Sequence, residues 1–181
     1  EFRRVLFRSP DPDWNGFETF HYYFQNSQQS SEMAQIRIFI TPVNDAPVNV
    51  TPPELSGDLR EDGTLRQNGT VTGHGTWNDV DTPLSELTYR YQWQIADDAS
   101  GTNLRDIDGA TLAQYKVSGA DIGKFVRIKV IANDGELDSQ PAYSAFKQVT
   151  NADPVLANPP VLPAATESVP FNVTLPANTF T

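Results

Sequence analysis

Alternation with a period of two runs through most of the chain. Between Phe17 and Phe24, Phe17, Thr19, His21 and Tyr23 fall on one face and Glu18, Phe20, Tyr22 and Phe24 on the other. The polar stretch Gln25 to Glu32 then leads into Met33 to Thr41, where Ala34, Ile36, Ile38 and Ile40 share a face. Two alternating runs joined by a polar turn predict a hairpin. Further along, Leu87 to Ala96 sets Leu87, Tyr89, Tyr91, Trp93 and Ile95 together. Phe125 to Ile131 turns Val126, Ile128 and Val130 inward and leaves Phe125, Arg127, Lys129 and Ile131 on the opposite side. Gln114 to Ser118 and Pro141 to Thr150 read as further strands. No stretch keeps a helical period over three turns. The expectation is an all-β chain of antiparallel β-sandwiches, with turn residues at short, regular intervals between strands.

An internal repeat divides the chain. Val43-Asn44-Asp45-Ala46-Pro47-Val48 recurs as Thr150-Asn151-Ala152-Asp153-Pro154-Val155, 107 positions later. That spacing is the length of one sandwich domain. Each copy follows a β-rich stretch and precedes prolines, Pro52 and Pro53 in one case and Pro159, Pro160 and Pro163 in the other. Proline stiffens a connection and cannot donate within a central ladder. The expected pieces are the closing strands of one domain at 10–45, a complete domain at 46–152, and the opening of a third at 153–181. Residues 1–9 (EFRRVLFRS) are basic and apolar, unlike the acidic chain that follows. They resemble an in-frame translation of a short-read sequencing adapter and are set apart as an artefact.

Two details point to immunoglobulin topology in the middle piece. Trp93 sits centrally in a long strand, the place of a sandwich's core tryptophan. Asp121-Ile122-Gly123-Lys124-Phe125 resembles the Asp-x-Gly-x-Tyr entry to strand F, with Phe125 in place of the tyrosine and no cysteine pair. The hydroxyl of a tyrosine corner is therefore missing from its usual position.

Longer stretches resemble known repeats. PVNDAPV (Pro42 to Val48), following IRIFIT, is similar to the interdomain linker of cadherin-like repeats in large bacterial surface adhesins. GTWNDVDTPLSELTYRYQWQ (Gly75 to Gln94) resembles the B–C region of immunoglobulin-like repeats in the same proteins, and ATESVPFNVTLPANTFT (Ala165 to Thr181) resembles the start of a dystroglycan-type cadherin-like domain. The resemblance implies an extracellular, bacterial cell-surface location, a spacer role in adhesion, neighbouring repeats of the same chain as partners, and calcium at the domain junctions.

Calcium takes about six to eight oxygens from a flexible set of carboxylates and carbonyls. In the implied topology the B–C and F–G loops share one end of the domain. Asp79 and Asp81 fall in the first loop, Asn133 and Asp134 in the second, and Asn44 and Asp45 in the entering linker. These six residues are the candidate metal site. Taken singly, Asn133-Asp134-Gly135 is also an ordinary hairpin turn. Asp79 and Asp81 are also ordinary loop carboxylates. A weaker second site would draw on Glu61 and Asp62 in the presumed A–B loop and on Asn151 and Asp153 in the exit linker.

Charge and composition narrow the remaining options. The chain has 13 basic against 23 acidic residues and a net charge of -10, the wrong sign for a nucleic-acid face or an anionic membrane surface. No apolar run reaches the roughly 18 residues of a membrane span, so no direct membrane insertion is expected. With no cysteine there is no disulfide, thiolate site or cysteine nucleophile. His21 and His74 stand without a nucleophile at a recognisable spacing, and no phosphate-cradling glycine loop is present. The chain is thus expected not to be an enzyme. The alternative is an accessory or carbohydrate-binding β-sandwich of a secreted hydrolase, for which Trp14, Trp77 and Tyr143 are the candidate aromatic platform. The sequons at Asn49, Asn68 and Asn172 read as chance occurrences.

Overall fold

The computed structural model describes residues 9–154 and, beyond them, residues 167, 169, 170, 172, 174, 175 and 177. The adapter-like stretch falls outside the described residues except for Ser9, and so does most of the expected third domain. The described fold is built from β-strands, with one 3-10 turn at Gly119–Asp121 and no α-helix. Strands β1 (Gly16–Tyr22) and β2 (Ala34–Ile40) form the expected antiparallel hairpin, with Gly16 opposite Ile40 and Tyr22 opposite Ala34. A three-stranded sheet orders β3 (Val48–Gly57), β5 (Thr70–Asn78) and β8 (Gln114–Lys116). A larger sheet runs β4 (Leu65–Arg66), β11 (Lys147–Thr150), β9 (Phe125–Asn133), β6 (Thr88–Ala96) and β7 (Arg105–Asp106), and β10 (Ala142–Tyr143) also pairs with β9. The β11–β4 pair is parallel, whereas β5–β8, β6–β7 and β9–β11 are antiparallel.

By its contacts the chain divides into two units. The first holds the hairpin and the chain through Pro52, with Gly75–Arg90 and Val130–Ala142. Its core is Trp77, Leu87, Val130, Ala132 and Ala142. Trp77 meets the edge of Tyr89 at 5.2 Å between ring centres. In the hairpin the alternating apolar face remains open, with Ile36 50% and Ile38 47% exposed. Two strands alone enclose no interior, so alternation here sets the face of each residue without burying it. On the other face Phe17 and Phe39 lie 4.8 Å apart, and the Arg37 guanidinium covers Phe17 at 4.3 Å.

The second unit holds Pro53–His74, Tyr91–Lys129 and the chain from Tyr143. Its core is Leu65, Val71, Trp93, Ile95, Ala96, Val117, Val126, Ile128 and Val149. Trp93 is fully buried, stacks on Tyr115 at 5.2 Å, and donates its indole N–H to the Leu112 carbonyl at 2.9 Å. Tyr115 donates its hydroxyl to the buried Asp121 carboxylate, which also accepts the Ser118 amide at 2.8 Å. Burial, and then the Asp121 hydrogen bond, raise the Tyr115 hydroxyl above the ordinary tyrosine range. Ser118 Oγ accepts the Ala120 amide, completing a reciprocal cap on the 3-10 turn. Gly123 follows with a φ of +80°, a conformation that suits glycine, and its amide donates to Val149. At Gly73 an added Cβ would lie 2.7 Å from the Ile128 side chain, so the missing side chain lets strand and core close up.

The stretch Pro141 to Thr150 is two short strands rather than one. The cause is Ser144, whose Oγ accepts the Ile128 amide at 3.0 Å while its own amide donates to the Ile128 carbonyl. A side chain thus takes the acceptor role that the backbone of a continuous strand would fill.

Candidate metal centre at the entry linker

All six residues of the main candidate site lie in the first unit. Asp79 follows the end of β5 and organises its own loop: its Oδ1 accepts the amides of Asp81 at 2.9 Å and Thr82 at 2.7 Å. A short acidic side chain bonding the backbone two residues on is the local reason for the turn. Its other oxygen, Oδ2, is buried and has no hydrogen-bond partner among the described residues. The turn also sets Asp81, whose Oδ2 accepts the Asp45 amide of the entering linker at 2.9 Å.

The turn after β9 is built the same way. Asn133 Oδ1 accepts the Gly135 amide at 2.8 Å, and Gly135 has a φ of +106°. Asp134 Oδ1 accepts the amides of Glu136 and Leu137, both at 2.7 Å. Its other oxygen accepts the side-chain amide of Asn44 at 2.8 Å. The Leu137 and Glu136 amides, with Asn44 contributing less, hold the Asp134 carboxyl below the usual carboxylate range. Asn133 turns its own amide to Asp138 at 2.8 Å, and Asp138 is also paired with Arg90. The linker is therefore bonded to both loops, Asn44 to one and Asp45 to the other.

The Asn133 side chain is engaged by its own turn through Oδ1 and by Asp138 through its amide. Among the described residues no group of three or more His, Cys, Asp and Glu side chains is gathered closely enough to hold a metal ion. The loops and linker meet, but through hydrogen bonds rather than through a closed carboxylate cage. The donor chemistry still fits a hard cation: every candidate is a carboxylate or amide oxygen, and one buried carboxylate oxygen is unsatisfied, which is costly for a charged group. Sequence reasoning missed the residues on the hairpin side. A cleft of about 260 Å³ is lined by Asp13, Trp14 and Asn15 together with Asp45 and Asp81. The signal was present in Asp11-Pro12-Asp13-Trp14-Asn15-Gly16, whose polar, turn-forming run ends where β1 begins.

The weaker site falls in the second unit and is occupied by other interactions. Asp153 pairs with Arg60, and with Arg66 at 3.2 Å. Asp62 Oδ1 accepts the amide and hydroxyl of Thr64 at 2.9 and 2.7 Å, which lowers its pKa. Asn151 Oδ1 accepts the Ala152 amide. Glu61 is exposed.

The aromatic candidates do not share a surface role. Trp77 is core, 4% exposed. Tyr143 is 40% exposed, with the Arg127 guanidinium 4.3 Å over its ring. Both histidines are exposed. No helix among the described residues is long and apolar enough to cross a membrane. No protein-family model matches the chain, and no curated protein matches it.

Proposed function

We propose that this chain is a repeat segment of an extracellular, calcium-dependent bacterial surface adhesin. Its middle residues, 46–152, form an immunoglobulin-like β-sandwich, flanked by parts of cadherin-like neighbours at 10–45 and 153–181. It is a spacer and not an enzyme, and its partners are the adjacent repeats. The observation that carries this reading is the linker: Asn44 and Asp45 bond to Asp134 and Asp81 beside the unsatisfied Asp79 oxygen.

Asp79, Asp81 and Asp134, with Asn44 or Asp45, are the residues that would hold calcium. Bound calcium would supply a compact positive charge to oxygens that otherwise repel. Without it, the chain's own side chains hold the linker by one exposed and one part-buried hydrogen bond, each of modest net strength. With the linker and both loops answering to one charge, the entry to the domain stiffens, and a series of such joints makes a rod. Of the three candidates for an aromatic sugar platform, Trp77 is core and Arg127 covers Tyr143, which leaves the exposed Trp14 as a single ring rather than a platform.

The test is a thermal melt of the chain with and without millimolar calcium, for the wild type and for Asp79→Asn/Asp81→Asn. Affinity is expected on the order of 0.1–1 mM, as in other extracellular modules. At calcium about 100-fold above the dissociation constant, the folded state gains about 2.7 kcal/mol. A wild type that does not shift sinks the site, and an equal shift in the double variant places calcium elsewhere. Magnesium should substitute poorly, because it demands tight octahedral geometry and gives up its waters reluctantly.

A further inference from the structure

The exit linker has the same kind of sequence as the entry linker but a different set of partners. Arg60 lies in a tight turn, its amide donating to Thr64 and its carbonyl accepting from Gly63. Asp62 fixes that turn through Thr64, which leaves the Arg60 side chain directed along the end of β11. There one guanidinium meets three oxygens of the exit: Thr150 Oγ1 at 2.9 Å, the Asn151 carbonyl, and the Asp153 carboxylate. Arg66 approaches the other Asp153 oxygen at 3.2 Å. The backbone before the linker is pinned as well, since the Gln67 amide donates to the Thr150 carbonyl at 2.9 Å and Thr150 Oγ1 donates to Leu65.

From this set of contacts we infer that the exit linker is fastened by an arginine clasp in which the Arg60 guanidinium does the work of a metal ion. A hydroxyl, a carbonyl and a carboxylate from neighbouring linker positions are the oxygens a hard cation would gather. Here a planar fork of five donors collects them, and that fork keeps its charge at every physiological pH. The residues that looked like a second metal site are thus the turn that aims the clasp (Asp62) and the group it grips (Asp153). The exit is held without a divalent ion, and the inference stands whether or not the entry linker takes calcium.

The experiment measures 15N order parameters of the Asn151, Ala152 and Asp153 amides in the full chain, for wild type, Arg60→Gln and Asp153→Asn. In the wild type these amides should match rigid backbone, about 0.85, in calcium and in EDTA alike. In either variant they should fall below about 0.6 while the β11 amides stay rigid. High salt should loosen the wild-type linker partway, since screening near 1 M acts over about 3 Å. If the Arg60 variant fails to fold, Asp153→Asn decides, because it removes the gripped charge and leaves the turn intact. Linker amides that remain rigid in Asp153→Asn would overturn the inference, as would a wild-type linker that loosens in EDTA.

Discussion

The two linkers share a motif and differ in what answers it. The entry, Asn44-Asp45-Ala46-Pro47, meets carboxylates: Asn44 gives its amide to Asp134, and Asp45 its backbone N–H to Asp81. The exit, Asn151-Ala152-Asp153-Pro154, meets guanidinium groups of Arg60 and Arg66. The exit also grows directly from the core of its unit, because β11 carries the buried Val149, and the turn at Gly123–Lys124 bonds to Val149 in both directions. The entry is tethered by groups at loop tips. A linker motif alone therefore does not say how a joint is held; the sign of the charges opposite it does. Perturbing the core or the two arginines should disturb the exit, and protonating or replacing the loop carboxylates should disturb the entry.

The largest expected effect tests the root of the exit. Trp93→Ala removes the fully buried ring that stacks on Tyr115, and should cost about 3–5 kcal/mol in urea unfolding, the usual range for a large core aromatic. A loss below about 1 kcal/mol would mean that the exit does not rest on this core.

Tyr115→Phe is the next step down. It takes one hydrogen bond from the buried Asp121, which keeps the Ser118 amide but loses its hydroxyl partner. The expected cost is about 1–3 kcal/mol, the range for a buried polar group left short of a partner. The exit should feel it first, so hydrogen exchange at Gly123 and Val149 should quicken before that at β6. Uniform quickening would argue that the 3-10 turn does not support β11 in particular.

The smallest effect belongs to the entry. The Asp134 carboxyl is held below its ordinary pKa of about 3.9. A depressed folded pKa means that the contribution is complete above the unfolded value and is lost as pH falls through the folded one. The Asn44–Asp134 contact should therefore persist down to about pH 4 and loosen below it. The side-chain amide resonances of Asn44 should report this transition, and Asp134→Asn should abolish it. Because Asp134 is only partly buried and a single hydrogen bond to Asn44 is at stake, the melting temperature should hardly move. An Asn44 signal that ignores acid would place the linker elsewhere.

Much of the β framework was legible because strand alternation is local. Val126, Ile128 and Val130 are buried as the period-two pattern of β9 requires, and Trp93 is the core ring that its central place in β6 suggests. Asn133-Asp134-Gly135 is the turn its residue types favour, with Gly135 at positive φ. Trp77 was harder to place. It sits beside the polar Asn78-Asp79 loop, yet β5 carries it inward, and its indole N–H has no partner among the described residues. The contacts that define the two linkers were the least legible. Arg60 meets Asp153 across 93 positions and Asn44 meets Asp134 across 90, and no local pattern encodes such pairs. For the same reason Asp62 and Asp153 read as a cation site: their acidity is local, whereas the arginine that answers Asp153 is brought to it by the fold.

Two small hydroxyls have a consequence for association. Ser139 Oγ accepts the Ala132 amide at 2.9 Å, Ser144 Oγ accepts the Ile128 amide at 3.0 Å, and both serines are buried. Each hydroxyl sits where a strand carbonyl would otherwise lie, and each donates its own hydrogen bond to a nearby carbonyl, Gln140 for one and Ala145 for the other. The chain beside β9 is thereby broken at both serines. An uninterrupted outer strand would present a row of open amides and carbonyls on which a second copy could add a strand of its own, the usual first step of edge-to-edge aggregation. The two serines satisfy β9 from the side chain and interrupt the strand that would otherwise run beside it, which shortens any such row on this side of β9.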